Sequence, residues 1–195
     1  YARNALFAGM TPGEIARVMP QLWIGENEEG SKNANEEALQ QGLFSRLGVQ
    51  GKTSYHKITN LQAGKKLADR FHELKGQEVI TVVYNFVDML SHARSEMEVL
   101  KELADDAAAS RSLTHSLFQH SPLKEMMDAM ADMGGRMILT TDHGTVRVDH
   151  PVEVRGDRET NSNLRYKVGR NLGYDASEVM ELRNPDKVGL PKPNV

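Results

Sequence analysis

The sequence of 195 residues has no cysteine, which excludes a disulfide framework and any thiolate-ligated metal site. It has no run of 18 apolar residues, so no membrane span is expected. It also lacks an excess of either charge: 24 Lys and Arg against 27 Asp and Glu leave a net charge of −3. A chain that bound nucleic acid through charge would carry a strong basic surplus. Internal repeats and low-complexity tracts are absent as well. What is present, 39% hydrophobic and 26% charged residues, describes a soluble globular chain. A cytoplasmic, reducing compartment suits it, although export is also compatible with a lack of Cys. Its chemistry must use His, carboxylates, hydroxyls or Lys.

Elements alternate along the chain. Ala2, Ala5, Leu6 and Ala8 predict a helix stopped by Gly9. Thr11, Pro12 and Glu14 have the spacing of a capping box for a helix to about Val18. Segment 25–37, with Glu26, Glu28, Glu29, Glu36 and Glu37, reads as an acidic surface loop. A helix from about Asn35 to Leu47 places Leu39, Leu43 and Leu47 on one stripe, and Leu61 to Leu74 is amphipathic. Lys52 to Ile58 alternates weakly, as a strand does. Val79 to Val87 is almost continuously β-branched and aromatic, which suits a strand buried on both faces of a parallel sheet. Helices are expected over 91–109, 111–119 and 122–133, then a short buried strand over Met137–Thr140. Val146–Val148 and Val152–Val154 can pair, and a short helix can form over Ala176–Leu182. Alternating strands and helices indicate an α/β sandwich with a mostly parallel central sheet flanked by helices.

Two places carry chemistry. Asp88 follows the strongest strand and His92 lies four residues on, a spacing that puts both on one helical face. Asp142-His143-Gly144 follows the second expected strand. Each pair has a plain alternative, a helix cap for Asp88 and a turn for Asp142. Two Asp/His pairs at the carboxyl ends of two strands are nevertheless what a two-metal hydrolytic site needs, and Zn²⁺ suits mixed N/O ligands.

Asp-x-x-x-His followed far downstream by Asp-His-Gly resembles the alkaline phosphatase superfamily, which includes nucleotide phosphodiesterases and phosphomutases. More closely, six stretches look like the PglZ-type effector domain of PorX-like response regulators of type IX secretion. They are Tyr1–Phe7 (YARNALF), Tyr55–Ile58 (YHKI), Asn85–Arg94 (NFVDMLSHAR), His120–Leu123 (HSPL), Thr141–Thr145 (TDHGT) and Gly156–Thr160 (GDRET). The resemblance covers essentially the whole chain. It implies an alkaline-phosphatase-like fold, with Asp88 and His92 holding one zinc and Asp142 and His143 the other. It further implies a Thr or Ser nucleophile upstream of Tyr1, more ligands outside 1–195, and a phosphodiester or nucleotide-like substrate. A receiver domain and a sensor kinase would be the regulatory partners. On that reading 1–195 is the core segment of a larger domain, cut at both ends, and inactive alone. Frayed ends of an expressed segment are the plainer alternative.

Among the remaining residues, Lys57 can meet a substrate phosphate or lie on a solvated strand edge. His120 can serve a substrate or cap the junction before Pro122. Arg158 belongs to a basic group with Arg155, Arg165, Lys167 and Arg170 that can receive an anion or a partner, or simply be solvated. His72, His115 and His150 read as surface, and the ten Met residues as packing material. Two functions remain open. One is a zinc-dependent phosphodiesterase-like effector domain. The other is a non-catalytic module that regulates by contact with transcription or secretion partners, with a homodimer under receiver control.

Overall fold

The computed structural model describes residues 1–25, 30–85, 106–144, 150–158, 160, 161, 163 and 165–191. The chain divides into two compact units, Tyr1–Val49 with Thr140–Val195, and Gln50–Leu139.

In the first unit the N-terminal helices form as their local signals dictate. Helix α1 (Ala2–Ala8) ends on Gly9, whose φ of 58° is left-handed. A Cβ at Gly9 would also stand 2.8 Å from Leu43 Cδ1, so the turn and the close approach both need glycine there. Helix α2 (Pro12–Val18) carries the expected capping box: Glu14 N donates to Thr11 Oγ1, and Thr11 N donates to the Glu14 carboxylate at 2.8 Å. Helix α3 (Glu36–Leu47) packs against α1. Ala8, Ile15 and Leu39 make the buried centre of this corner, with Phe7, Met10, Met19, Leu22 and Trp23 around it. The Leu stripe holds at Leu39 and fails at Leu47, which is 69% exposed because α3 outruns the seven-residue helix it packs on.

The described residues of the later chain are attached to this corner and have little regular structure, a 3₁₀ turn at Pro185–Val188 and an isolated bridge. Gly13 N donates to Gly189 O at 2.8 Å, and Tyr1 lies between Trp23 and Tyr166 with ring centroids 5.2 and 6.4 Å away. Arg155 and Gly173 form one antiparallel bridge. Val152–Val154 is irregular, not a strand, and 145–149 lies outside the described residues. The short helix expected over Ala176–Leu182 is replaced by turns. Asp175 Oδ1 accepts from Ser177 N and Oγ at 2.9 and 2.7 Å, a local bond that competes with a helical start.

The second unit contains the sheet. Strands β1 (Thr53–Ile58) and β2 (Val79–Tyr84) pair in parallel from Thr53↔Val79 to Ile58↔Tyr84. Parallel strands need a crossover, and helix α4 (Leu61–Asp69), N-capped by Asn60, provides it with a 3₁₀ turn at Phe71–Leu74. Helix α5 (Ala107–Gln119) is capped by Asp106, whose Oδ1 accepts from Ala109 N at 2.7 Å. The helix boundary expected near 109–111 therefore falls earlier, and the rest of the 91–109 prediction lies outside the described residues. Helix α6 (Pro122–Asp132), capped by Ser121, packs on α4. A Cβ at Gly64 would lie 3.3 Å from the Pro122 ring and from Tyr84 Oη, which shows how closely α4, α6 and the end of β2 approach.

Two strand expectations are corrected. Val79–Tyr84 is half-buried along its length, not buried on both faces, since the sheet has two strands among the described residues. Met137–Thr140 is irregular and exposed, Ile138 at 85% and Leu139 at 72%. An apolar β-branched run becomes a strand only against a partner edge, and no described strand offers one to it. The architecture is α/β, helices with a small parallel sheet.

Candidate functional site

Asp88 and His92 lie outside the described residues. Asp142 and His143 are placed, although the strand expected to carry them is irregular chain. Asp142 is more buried than Thr141, His143 or Gly144, at 28% side-chain exposure. Its Oδ2 lies 3.9 Å from His143 Nε2 and 3.9 Å from Arg3 Nε. Thr141 Oγ1 donates to His143 O at 2.8 Å and tightens the turn. His143 Nδ1 lies 3.2 Å from Gly144 O; with the proton on Nδ1, the lone pair falls on Nε2.

A carboxylate oxygen and an imidazole nitrogen 3.9 Å apart form a donor set that fits a divalent cation. Two ligands on one tetrahedral zinc stand about 3.4 Å apart, so a small adjustment would let both coordinate. Among the described residues no group of three or more His, Asp or Glu side chains converges as a metal site. Asp142 and His143 thus supply at most two ligands, and the four-ligand expectation rests on Asp88 and His92.

Arg3 and Glu36 are the residues that sequence reasoning missed. Arg3, on α1, places Nε 3.0 Å from Glu36 Oε1, and the two side chains are 15% and 1% exposed. Glu36 was expected in an acidic surface loop; it is instead the first residue of α3, buried against α1. A carboxylate in a first helical turn is favoured by the helix dipole, but nothing in its charged surroundings signals burial.

Lys57 is half-buried at the carboxyl end of β1. It lines a cavity of about 410 Å³ with Ile58, Leu67 and Leu74 as apolar wall and Lys66 and Arg70 as cations. Glu73 offsets one of these: its carboxylate accepts from Arg70 Nη2 at 2.6 Å, which raises the Arg70 pKa and lowers that of Glu73. His56 Nε2 lies 3.0 Å from Ser54 Oγ. Tyr84, ending β2, has its phenol pKa raised by burial and then by the charge of Glu125. His120 is the exposed C-cap of α5, and Arg158 is an exposed turn residue. In the basic group, Arg155 pairs with Glu153 at 3.0 Å and Lys167 Nζ donates to Asn161 O, so part of that charge is spent locally. His72, His115 and His150 are exposed as expected.

The parallel β-α-β unit makes this an α/β protein, and Asp142 and His143 stand on irregular chain. The family described as the BREX system PglZ alkaline phosphatase-like domain matches residues 1–195, and the chain belongs to it. No curated protein matches the chain. No described helix is long and apolar enough to cross a membrane.

Proposed function

We propose that the chain is the metal-binding core of a zinc-dependent phosphodiesterase-like effector domain, as in PorX-like response regulators of type IX secretion. The observation that carries this reading is the PglZ alkaline phosphatase-like match over all 195 residues, Asp142-His143-Gly144 included. The response-regulator context rests on the six sequence stretches quoted above. Asp142 and His143 would hold one ion, and Asp88 and His92 the other. Zinc, when bound, lowers the pKa of a coordinated hydroxyl and stabilises charge on the leaving oxygen. Asp142 and His143 contribute the carboxylate and imidazole donors for an ion that would meet a phosphodiester or nucleotide-like anion, and Lys57, at the end of β1 in the other compact unit, is a separate candidate for contact with such an anion. A receiver domain, a sensor kinase and a homodimer belong to the proposed regulatory setting, and contact with transcription or secretion components to the non-catalytic alternative.

Equilibrium dialysis against zinc tests the reading. The chain is expected to retain zinc, and Asp142→Asn and His143→Ala are each expected to weaken retention at least about tenfold, as loss of a first ligand should exceed the loss of an outer partner. A chain that holds no zinc, or holds it equally well in both variants, sinks the proposal.

A further inference from the structure

We infer that Arg3 is a positioning residue for Asp142: anchored on the buried Glu36 carboxylate, its guanidinium sets where the Asp142 side chain stands. The inference rests on the metal reading above for its consequence, but its geometry stands alone. Asp142 was expected to be aimed by a strand, and Met137–Thr140 is irregular and exposed. The backbone ladder that would fix the carboxylate is therefore missing at this point of the chain. In its place, Arg3 Nε lies 3.0 Å from Glu36 Oε1 and 3.9 Å from Asp142 Oδ2.

The burial gradient gives the arrangement a direction. Glu36 is 1% exposed, Arg3 15% and Asp142 28%, so Arg3 Nε stands between a buried carboxylate and a half-exposed one, nearer the buried one. A buried carboxylate holds a guanidinium strongly because neither can return to water without leaving the other charge unpaired. Glu36 opens α3 and Arg3 sits on α1, so the packing of these two helices is transmitted to Asp142. Metal-ligating side chains are commonly oriented by such outer partners, and losing one typically costs 10–100-fold in metal affinity.

The test has a metal-free arm and a cobalt arm, both on the 195-residue chain. The double variant Arg3→Gln/Glu36→Gln removes both charges together, so no buried carboxylate is stranded and the summed charge near Asp142 is unchanged. In the metal-free arm the carboxyl carbon resonance of Asp142 is followed by NMR. It is expected to shift in the double variant, and to shift the same way but by less than half in Arg3→Lys. In the cobalt arm the visible absorption of bound Co²⁺ reports affinity and ligand geometry. The double variant is expected to bind about tenfold more weakly with an altered band, and Arg3→Lys to recover most of both.

A folded double variant with an unmoved Asp142 resonance overturns the inference. Tighter cobalt binding also overturns it, because Arg3 would then compete with the metal rather than place its ligand. Unchanged cobalt affinity beside a large loss in Asp142→Asn overturns this inference alone. Cobalt binding that is indifferent to Asp142→Asn defeats the metal reading, and the resonance still judges Arg3. Should the double variant fail to fold, an unmoved Asp142 resonance in a folded Arg3→Met/Glu36→Gln variant, which also removes both charges, is decisive against it.

Discussion

Residues 1–49 and the chain after Thr140 share one compact unit and are built in opposite ways. The first stretch has three helices with identifiable starts and stops and a closed apolar centre of Ala8, Ile15 and Leu39. Among its described residues the second has one 3₁₀ turn at Pro185–Val188, one isolated bridge, and side chains such as Met180 at 85% exposure. Beyond its own local hydrogen bonds, it is attached to the first by the Gly13–Gly189 hydrogen bond, the Tyr1–Tyr166 ring contact and the Arg3–Asp142 ion pair. Asp142 and His143 thus sit in the borrowed half. A site on irregular chain is only as rigid as the elements that grip it.

The largest expected effect breaks the self-sufficient half. Leu39→Ala deletes a fully buried side chain between α1 and α3 and should cost about 2–5 kcal/mol. Met180→Ala, on the exposed half, should stay within about 0.5 kcal/mol. Urea unfolding midpoints compare the two directly. Similar losses would mean that the second half has a core of its own, and the contrast would collapse.

Next in size is the α2 cap. Thr11→Ala removes the side-chain acceptor for Glu14 N and should cost about 1 kcal/mol. Because Gly189 stands so close to Thr11 that a Cβ added at Gly189 would lie 2.9 Å from Thr11 Cβ and Cγ2, the variant, which removes Cγ2, should also loosen the end of the second half. Faster proteolysis near Pro185–Val188 is the expected sign; cleavage at the wild-type rate would separate the cap from that attachment. A smaller loss, about 0.5–1.5 kcal/mol, is expected for Tyr166→Leu, which removes one ring from the Tyr1 stack and leaves an apolar side chain. An unchanged midpoint would show that the Tyr1–Trp23 pair alone holds that corner.

The same contrast decides what could be read from the sequence. Thr11, Pro12 and Glu14 are a local device, complete within four residues, and the structure has it as written. The β1-α4-β2 crossover was legible in its order but unevenly, since its first strand is marked only by weak alternation while the amphipathic helix and the β-branched run after it are plain. Met137–Thr140 misled because apolar, β-branched content records a preference for a pleated surface and not the presence of a neighbouring edge. The Asp142-His143 pair was visible by residue type, yet its surroundings were not. Arg3 and Glu36 lie far from Asp142 in sequence, and Glu36 stood among other acidic residues that suggested only solvent. Long-range ion pairs leave no periodicity to find.

The smallest effect is a pH dependence, and it tests whether the α2 cap is as local as its sequence spacing suggests. The Glu14 carboxylate accepts from Thr11 N and Oγ1, both at 2.8 Å, and these bonds hold its pKa below the ordinary 4.5. The folded chain therefore binds this proton less readily than the unfolded chain. The stabilisation is fully present above the unfolded value of 4.5 and is lost as pH falls through the lowered folded value. Glu14→Gln keeps an acceptor for the capping box but has no charge to titrate. Wild type should exceed the variant in urea midpoint at neutral pH, and the difference should shrink steadily as the solution is acidified below 4.5. Glu73, Asp175 and Glu181 also have lowered pKa values, but they titrate in both proteins and cancel in the difference. A gap that stays constant with pH would mean that the Glu14 charge does not act through the cap.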